Sequence, residues 1–99
     1  MRLSNDQISA IRHIVADTAG ASAQVRLFGS RLRDDATGGD LDLLVELPGA
    51  VEHPAALSAR LATRISRTLH GRRVDVLVLA PNLRRLPIND IALREGQSL

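Results

Sequence analysis

Hydrophobic positions change their spacing several times along this chain, and each change marks an element. Ile8, Ile11, Ile14 and Val15 recur at three- and four-residue intervals, the pattern of a helix with one apolar face. Ser4 and Gln7 precede that run with the spacing of a capping box, and Gly20 is a natural stop. Val25, Leu27 and Phe28 belong to a first strand at about residues 24–28. Between residues 40 and 47 the period becomes two: Leu41, Leu43, Val45 and Leu47 take one face, and Asp40, Asp42, Leu44 and Glu46 take the other. Pro48 and Gly49 end that strand, and Pro54 opens a second helix whose stripe is Leu57, Leu61, Ile65 and Leu69, closed by Gly71. Residues 73–79 read as a third strand, with Val74, Val76 and Val78 on one side and Asp75 on the other. Pro81 breaks it, and Pro87 begins a last short helix carrying Ile88, Ile91 and Ala92.

The resulting order is helix, strand, loop, strand, helix, strand, helix, without repeat or linker. It predicts a single α/β domain over residues 1–99, its sheet covered by helices mainly on one face and leaving an open acidic face on the other. The apolar face of residues 41–47 also orients the acids. A slip of one residue would bury both Asp40 and Asp42 and expose the leucines.

Composition narrows the function. A hydrophobic fraction of 44% suits a folded chain. Phe28 is the only aromatic residue, so the stacking platforms of single-strand and RNA binders are missing and nucleic acid is not the expected main partner. The 13 basic residues are all arginine, scattered and nearly balanced by 11 acids, for a net charge of +2. With no lysine, a P-loop or a Schiff-base mechanism is excluded. With no cysteine, so are disulfides, thiolate metal sites and a thiol nucleophile. No apolar run has membrane-spanning length and the first residues lack a signal-peptide core, so the expected location is the cytoplasm, with no membrane partner.

The candidate chemistry lies around Phe28-Gly29-Ser30 and Asp40-Leu41-Asp42. A strand that ends in Gly-Ser can bring bare backbone amides and a small hydroxyl close to phosphate oxygens. Two carboxylates at i and i+2 on one strand face repel each other unless a cation lies between them, and they are the hard oxygen donors that Mg²⁺ prefers. Alone, the Gly-Ser step is an ordinary turn and the Asp-x-Asp a wet strand face; together they describe a phosphate cradle facing a metal site. Asp75 is an isolated acid in an otherwise aliphatic strand and joins the candidates. His13, His53 and His70 have no ligand spacing, and Asp34 and Asp35 read as loop charge.

This combination resembles the signature of the DNA polymerase β-like nucleotidyltransferases. The small size is similar to their minimal nucleotidyltransferase (MNT) branch, antitoxins usually paired with HEPN-domain toxins. The resemblance runs from the first helix to Ala92-Leu93-Arg94-Glu95-Gly96 and rests on Gly29, Ser30, Arg31, Arg33, Asp40, Asp42 and Asp75. The spacer from Ser30 to Asp40 is one residue shorter than in many MNT proteins and within the range of the wider superfamily. The resemblance implies a nucleotidyltransferase-like fold with a small mixed sheet. It implies ATP as substrate, with Gly29 and Ser30 on the β- and γ-phosphates and Arg31 and Arg33 near the triphosphate. Asp40, Asp42 and Asp75 would be ligands of Mg²⁺, two ions in all, and Asp75 would also be the general base. AMP would pass to a hydroxyl, a tyrosine of a cognate HEPN ribonuclease toxin, within a hetero-oligomer, as in a type VII-like toxin–antitoxin system. Two other readings stay open: an antitoxin that silences its partner by covering it, and transfer to a small molecule or an RNA end.

Overall fold

The computed structural model of the chain describes residues 3–28 and 41–99. Its first helix, α1 (Asn5–Ala19), begins as the sequence predicts. The Gln7 amide donates to the Ser4 hydroxyl at 3.1 Å, and the Ser4 amide donates to the Gln7 carboxamide oxygen at 2.8 Å, so two otherwise orphaned donors of the helix start are satisfied. Gly20 ends the helix at φ 106°, a conformation that side-chain-bearing residues rarely adopt.

Strand β1 (Gln24–Phe28) leads towards the carboxylates, and β2 (Leu41–Glu46) runs back antiparallel to it. Helix α2 (Pro54–Thr68) then crosses over to β3 (Val74–Leu79), which lies parallel to β2. The crossover follows from geometry, because parallel neighbours need a long connection. Past α2 the chain turns through His70 and Gly71, both at positive φ, with the Gly71 amide donating to the Ser66 carbonyl at 2.8 Å. Helix α3 (Pro87–Glu95) and a two-residue strand β4 (Gln97–Ser98) complete a mixed sheet in the order β3-β2-β1-β4.

The period-two pattern of β2 sorts the molecule into two unequal layers. Leu41, Leu43 and Val45 face α1 and α2, where they meet Ile11, Ile14, Val15, Leu61 and Ile65 in the main core. The Ser58 hydroxyl donates to the Val76 carbonyl at 2.6 Å and ties α2 to the edge strand. Leu44 points the other way, into a smaller core with Phe28, Leu79 and Ala92. The acidic face is therefore only partly open. Helix α3 lies on it, packed over β1 and β2, held there by Ala92 and Leu93.

Strand β4 has no counterpart in the sequence reading. Two polar residues carry no periodicity. Their pairing with Leu27 and Arg26, and the Leu99 amide donating to the Val25 carbonyl at 3.0 Å, are long-range effects of where α3 ends.

Candidate active site

The part of the second face that α3 leaves uncovered, among the described residues, is where Asp42 and Asp75 meet. Asp42 is the second residue of β2 and Asp75 the second of β3, and the parallel register sets them directly opposite each other. Phe28, the last residue of β1, pairs with Asp42 from the other side. The row across the sheet thus reads Phe28, Asp42, Asp75, with neighbouring backbones about 4.8 Å apart. Because α3 sits over β1 and β2, Asp75 on the edge strand keeps 51% of its side chain exposed, while Asp42 is half-buried. Both acids sit beside aliphatic neighbours that continue into the sheet, so a rigid element sets the direction of each carboxylate.

The chain enters this row from β1 and from the segment before β2, where the remaining candidates stand in sequence. Gly29, Ser30, Arg31, Arg33 and Asp40 lie outside the described residues, as do Asp34 and Asp35. Among the described residues, Asp42 and Asp75 are brought together and no third acid or histidine completes a cation cage with them. The three histidines lie outside these strands: His13 on α1, His53 before α2 and His70 after it.

One neighbour escaped the sequence reading. Arg73 stands just before β3, and its Nε lies 3.8 Å from Asp75 Oδ1. The same alternation that orients Asp75 puts residue 73 on its side of the strand, a signal that was available but drowned among thirteen scattered arginines. A concavity of about 330 Å³, lined by Glu46, Leu79 and Arg85 among others, lies at the opposite end of β2 and β3. Four residues of strand, about 13 Å, separate it from the carboxylates, too far to share their reacting atoms.

The family model described as nucleotidyltransferase domain matches residues 8–98, nearly the whole chain. The chain belongs to this family. Among curated proteins, none matches it. The matched span starts within α1 and ends in β4, so the family unit includes both cores and the carboxylate row. The small mixed sheet with three helices among the described residues is the nucleotidyltransferase-like fold that the resemblance implied, at the size of a minimal member.

A nucleotidyltransferase domain transfers a nucleotidyl group, typically from a nucleoside triphosphate with the help of a divalent metal. The described residues fit such a metal. Asp42 and Asp75 offer hard oxygens from adjacent strands on one face, and the exposure of Asp75 leaves its carboxylate accessible to a cation and a substrate. No helix among the described residues is long and apolar enough to cross a membrane.

Proposed function

We propose that this nucleotidyltransferase domain transfers AMP from ATP to a hydroxyl on a partner protein, a tyrosine of a cognate HEPN-domain ribonuclease toxin, and so acts as an antitoxin. The observation that carries the reading is the pairing of Asp42 with Asp75 across two strands of a partly open face. Asp42 and Asp75, with Asp40 before them in sequence, would hold Mg²⁺. Bound there, the metal supplies charge neutralisation for the polyphosphate as pyrophosphate departs. Gly29 and Ser30 would donate hydrogen bonds to the phosphates, with Arg31 and Arg33 close by.

In the transfer, the acceptor oxygen bonds to the α-phosphorus and the bond from that phosphorus to the bridging oxygen of pyrophosphate breaks. The hydroxyl proton passes to the Asp75 carboxylate, whose exposure leaves room for an acceptor to approach. The described residues do not enclose a small acceptor on this face, which favours a macromolecule that completes the site from outside. The cytoplasm is the compartment in which ATP and such a toxin meet.

The test is incubation with labelled ATP and Mg²⁺, with and without the protein encoded beside this one. Label should enter the partner as AMP units visible by intact mass. Asp42→Asn and Asp75→Asn should each cut transfer by about 10²-fold or more without lowering the melting temperature, and Asp75→Asn should keep most ATP binding. Normal transfer in both variants would remove these residues from the mechanism.

A second reading has one observation in its favour. Leu86, Ile88 and Ile91 at the start of α3 are 47%, 41% and 39% exposed, large aliphatic side chains of the kind a protein partner covers. An antitoxin acting by steric cover would use them without chemistry. If Asp42→Asn still rescues growth while the partner stays unmodified, that reading replaces the enzymatic one.

A further inference from the structure

We propose that the outer edge of β3 is an interface between two copies of this chain, paired antiparallel about Val76, so that the second copy's Leu77 stands beside Asp75. The inference goes beyond the reaction proposed above, because it rests on the sheet and on α2 rather than on carboxylate chemistry.

The two ends of the sheet order β3-β2-β1-β4 are unlike. One is β4, two polar residues long, the short kind of edge by which sheets avoid association. The other is β3, six residues long and aliphatic except for Asp75, which belongs to the carboxylate row. It contains no proline, glycine or lysine, and its register with β2 runs unbroken from Val74 to Leu79, so no bulge turns it aside. The Leu41 amide donates to the Arg73 carbonyl and the Leu47 amide to the Leu79 carbonyl, which fixes the groups that β2 uses. In a parallel ladder the alternate residues turn their amides and carbonyls the other way. These are Val74, Val76 and Val78. Among the described residues one side chain meets them: the Ser58 hydroxyl donates to the Val76 carbonyl at 2.6 Å. That oxygen keeps a second lone pair for another donor.

Register and charge select the occupant. A second β3 offers the same three residues, and pairing about Val76 matches Val76 with Val76 and Val74 with Val78. Asp75 then stands opposite the second copy's uncharged Leu77. A slip that centred the pair on Asp75 would set two carboxylates directly opposite each other, which is unfavourable.

Helix α2 is shaped for the same pairing. Arg64 reaches Asp17, so one flank of α2 faces α1; Ser58 reaches the β3 edge, so the other flank lies over that edge. At helical spacing around Ser58 stand Ala55, Ala62 and Ser66, all small. A two-fold axis through the sheet at Val76 brings this flank antiparallel to its own copy, and small side chains let the helices approach to about 8 Å. An unrelated extended peptide would pair with the strand and leave this flank uncovered. In the dimer the two four-stranded sheets become one. The row Phe28, Asp42, Asp75 then continues into the second copy's Leu77, an apolar side chain that bounds the site beside β3.

The experiment follows the full chain by sedimentation equilibrium through a dilution series, with amide hydrogen exchange read by NMR at both ends of the series. The mass of a dimer should grow with concentration. The Val74, Val76 and Val78 amides should gain protection with it, about tenfold or more, while those of Asp75, Leu77 and Leu79, turned towards β2, stay protected throughout. Ala55→Arg, a change at an exposed position, should weaken association about tenfold or more and release the three valine amides. Ala55→Gln is the second variant should the first fold poorly. Register is read by cross-linking, because the chain has no cysteine of its own. Asp75→Cys protein mixed with Leu77→Cys protein should form an intermolecular disulfide much faster than either alone, since directly facing residues are within disulfide reach and diagonal ones are not.

A chain that stays monomeric at every concentration overturns the proposal. So does a dimer whose Val74, Val76 and Val78 amides exchange as fast as in the monomer, or one that both Ala55 variants leave unchanged. AMP transfer is read separately by the labelled-ATP assay, so the failure of either reading leaves the other standing.

Discussion

Asp17 and Asp75 are both exposed acids beside an arginine, and the two contacts differ in length. Arg64 Nη1 donates to Asp17 Oδ2 at 2.7 Å and to the Thr18 hydroxyl at 2.5 Å, clamping the end of α1 to α2. That hydrogen bond, helped by the guanidinium charge, holds the Asp17 carboxyl below its ordinary value of 3.8. A carboxyl lowered in the folded state stabilises the fold above its ordinary value, and the contribution fades as pH falls through the folded value. Asp17→Asn should therefore melt at a slightly lower temperature than wild type near neutral pH, with the gap closing below about pH 4. Melting curves across that range check it, and a gap independent of pH would assign the effect to packing. The pair was invisible in sequence because its members stand 47 residues apart. Asp42 and Asp75 were legible as candidates because acids are rare in aliphatic strands, but that they face one another was not.

At the scale of elements, α3 illustrates how local signals and tertiary contacts divide the work. Pro87 at its first turn was readable, and the buried Asn89 carboxamide accepts from the Leu86 amide at 2.7 Å to finish the start. Its end depends on Gly96, whose amide donates to the Ala92 carbonyl at 2.8 Å before the chain pairs with β1 as β4. The backbone there is ordinary, at φ −72° and ψ 151°, so glycine is required by space and not by conformation. A Cβ at this position would fall 2.2 Å from the Ala92 carbonyl oxygen and 3.3 Å from that of Leu27, atoms of backbone that cannot rotate away. Gly96→Ala should cost about 1–3 kcal/mol, the usual range for overpacking, read as a lower midpoint in denaturant with an unchanged slope. Stability equal to wild type would mean that the junction between α3 and β4 shifts freely.

At the scale of the whole molecule, the described residues form two cores of different size. The larger joins α1 and α2 to the sheet; the smaller, with Phe28, Leu44, Leu79 and Ala92, is what holds α3 to the acidic face. Leu44 is fully buried, so Leu44→Ala should cost about 2–5 kcal/mol. Because few side chains share that core, the amides of α3 and β4 should lose hydrogen-exchange protection in this variant before those of α2 and β2 do. Uniform loss across the chain would show that both cores open together. The sequence by itself determined the described elements other than β4, because each rests on neighbours within a few residues: the capping box of Ser4 and Gln7, the alternation of β2, and the stripe of α2. It also determined that the carboxylates of β2 lie opposite the main apolar face, since the pleat permits no other arrangement. Gly29, Ser30, Arg31, Arg33 and Asp40 remain expectations of the sequence, outside the described residues. Only the tertiary structure decided that Asp75 stands beside Asp42 and that α3 covers part of their face. Those facts depend on strand order and register between segments more than thirty residues apart, which packing chooses and local pattern does not encode.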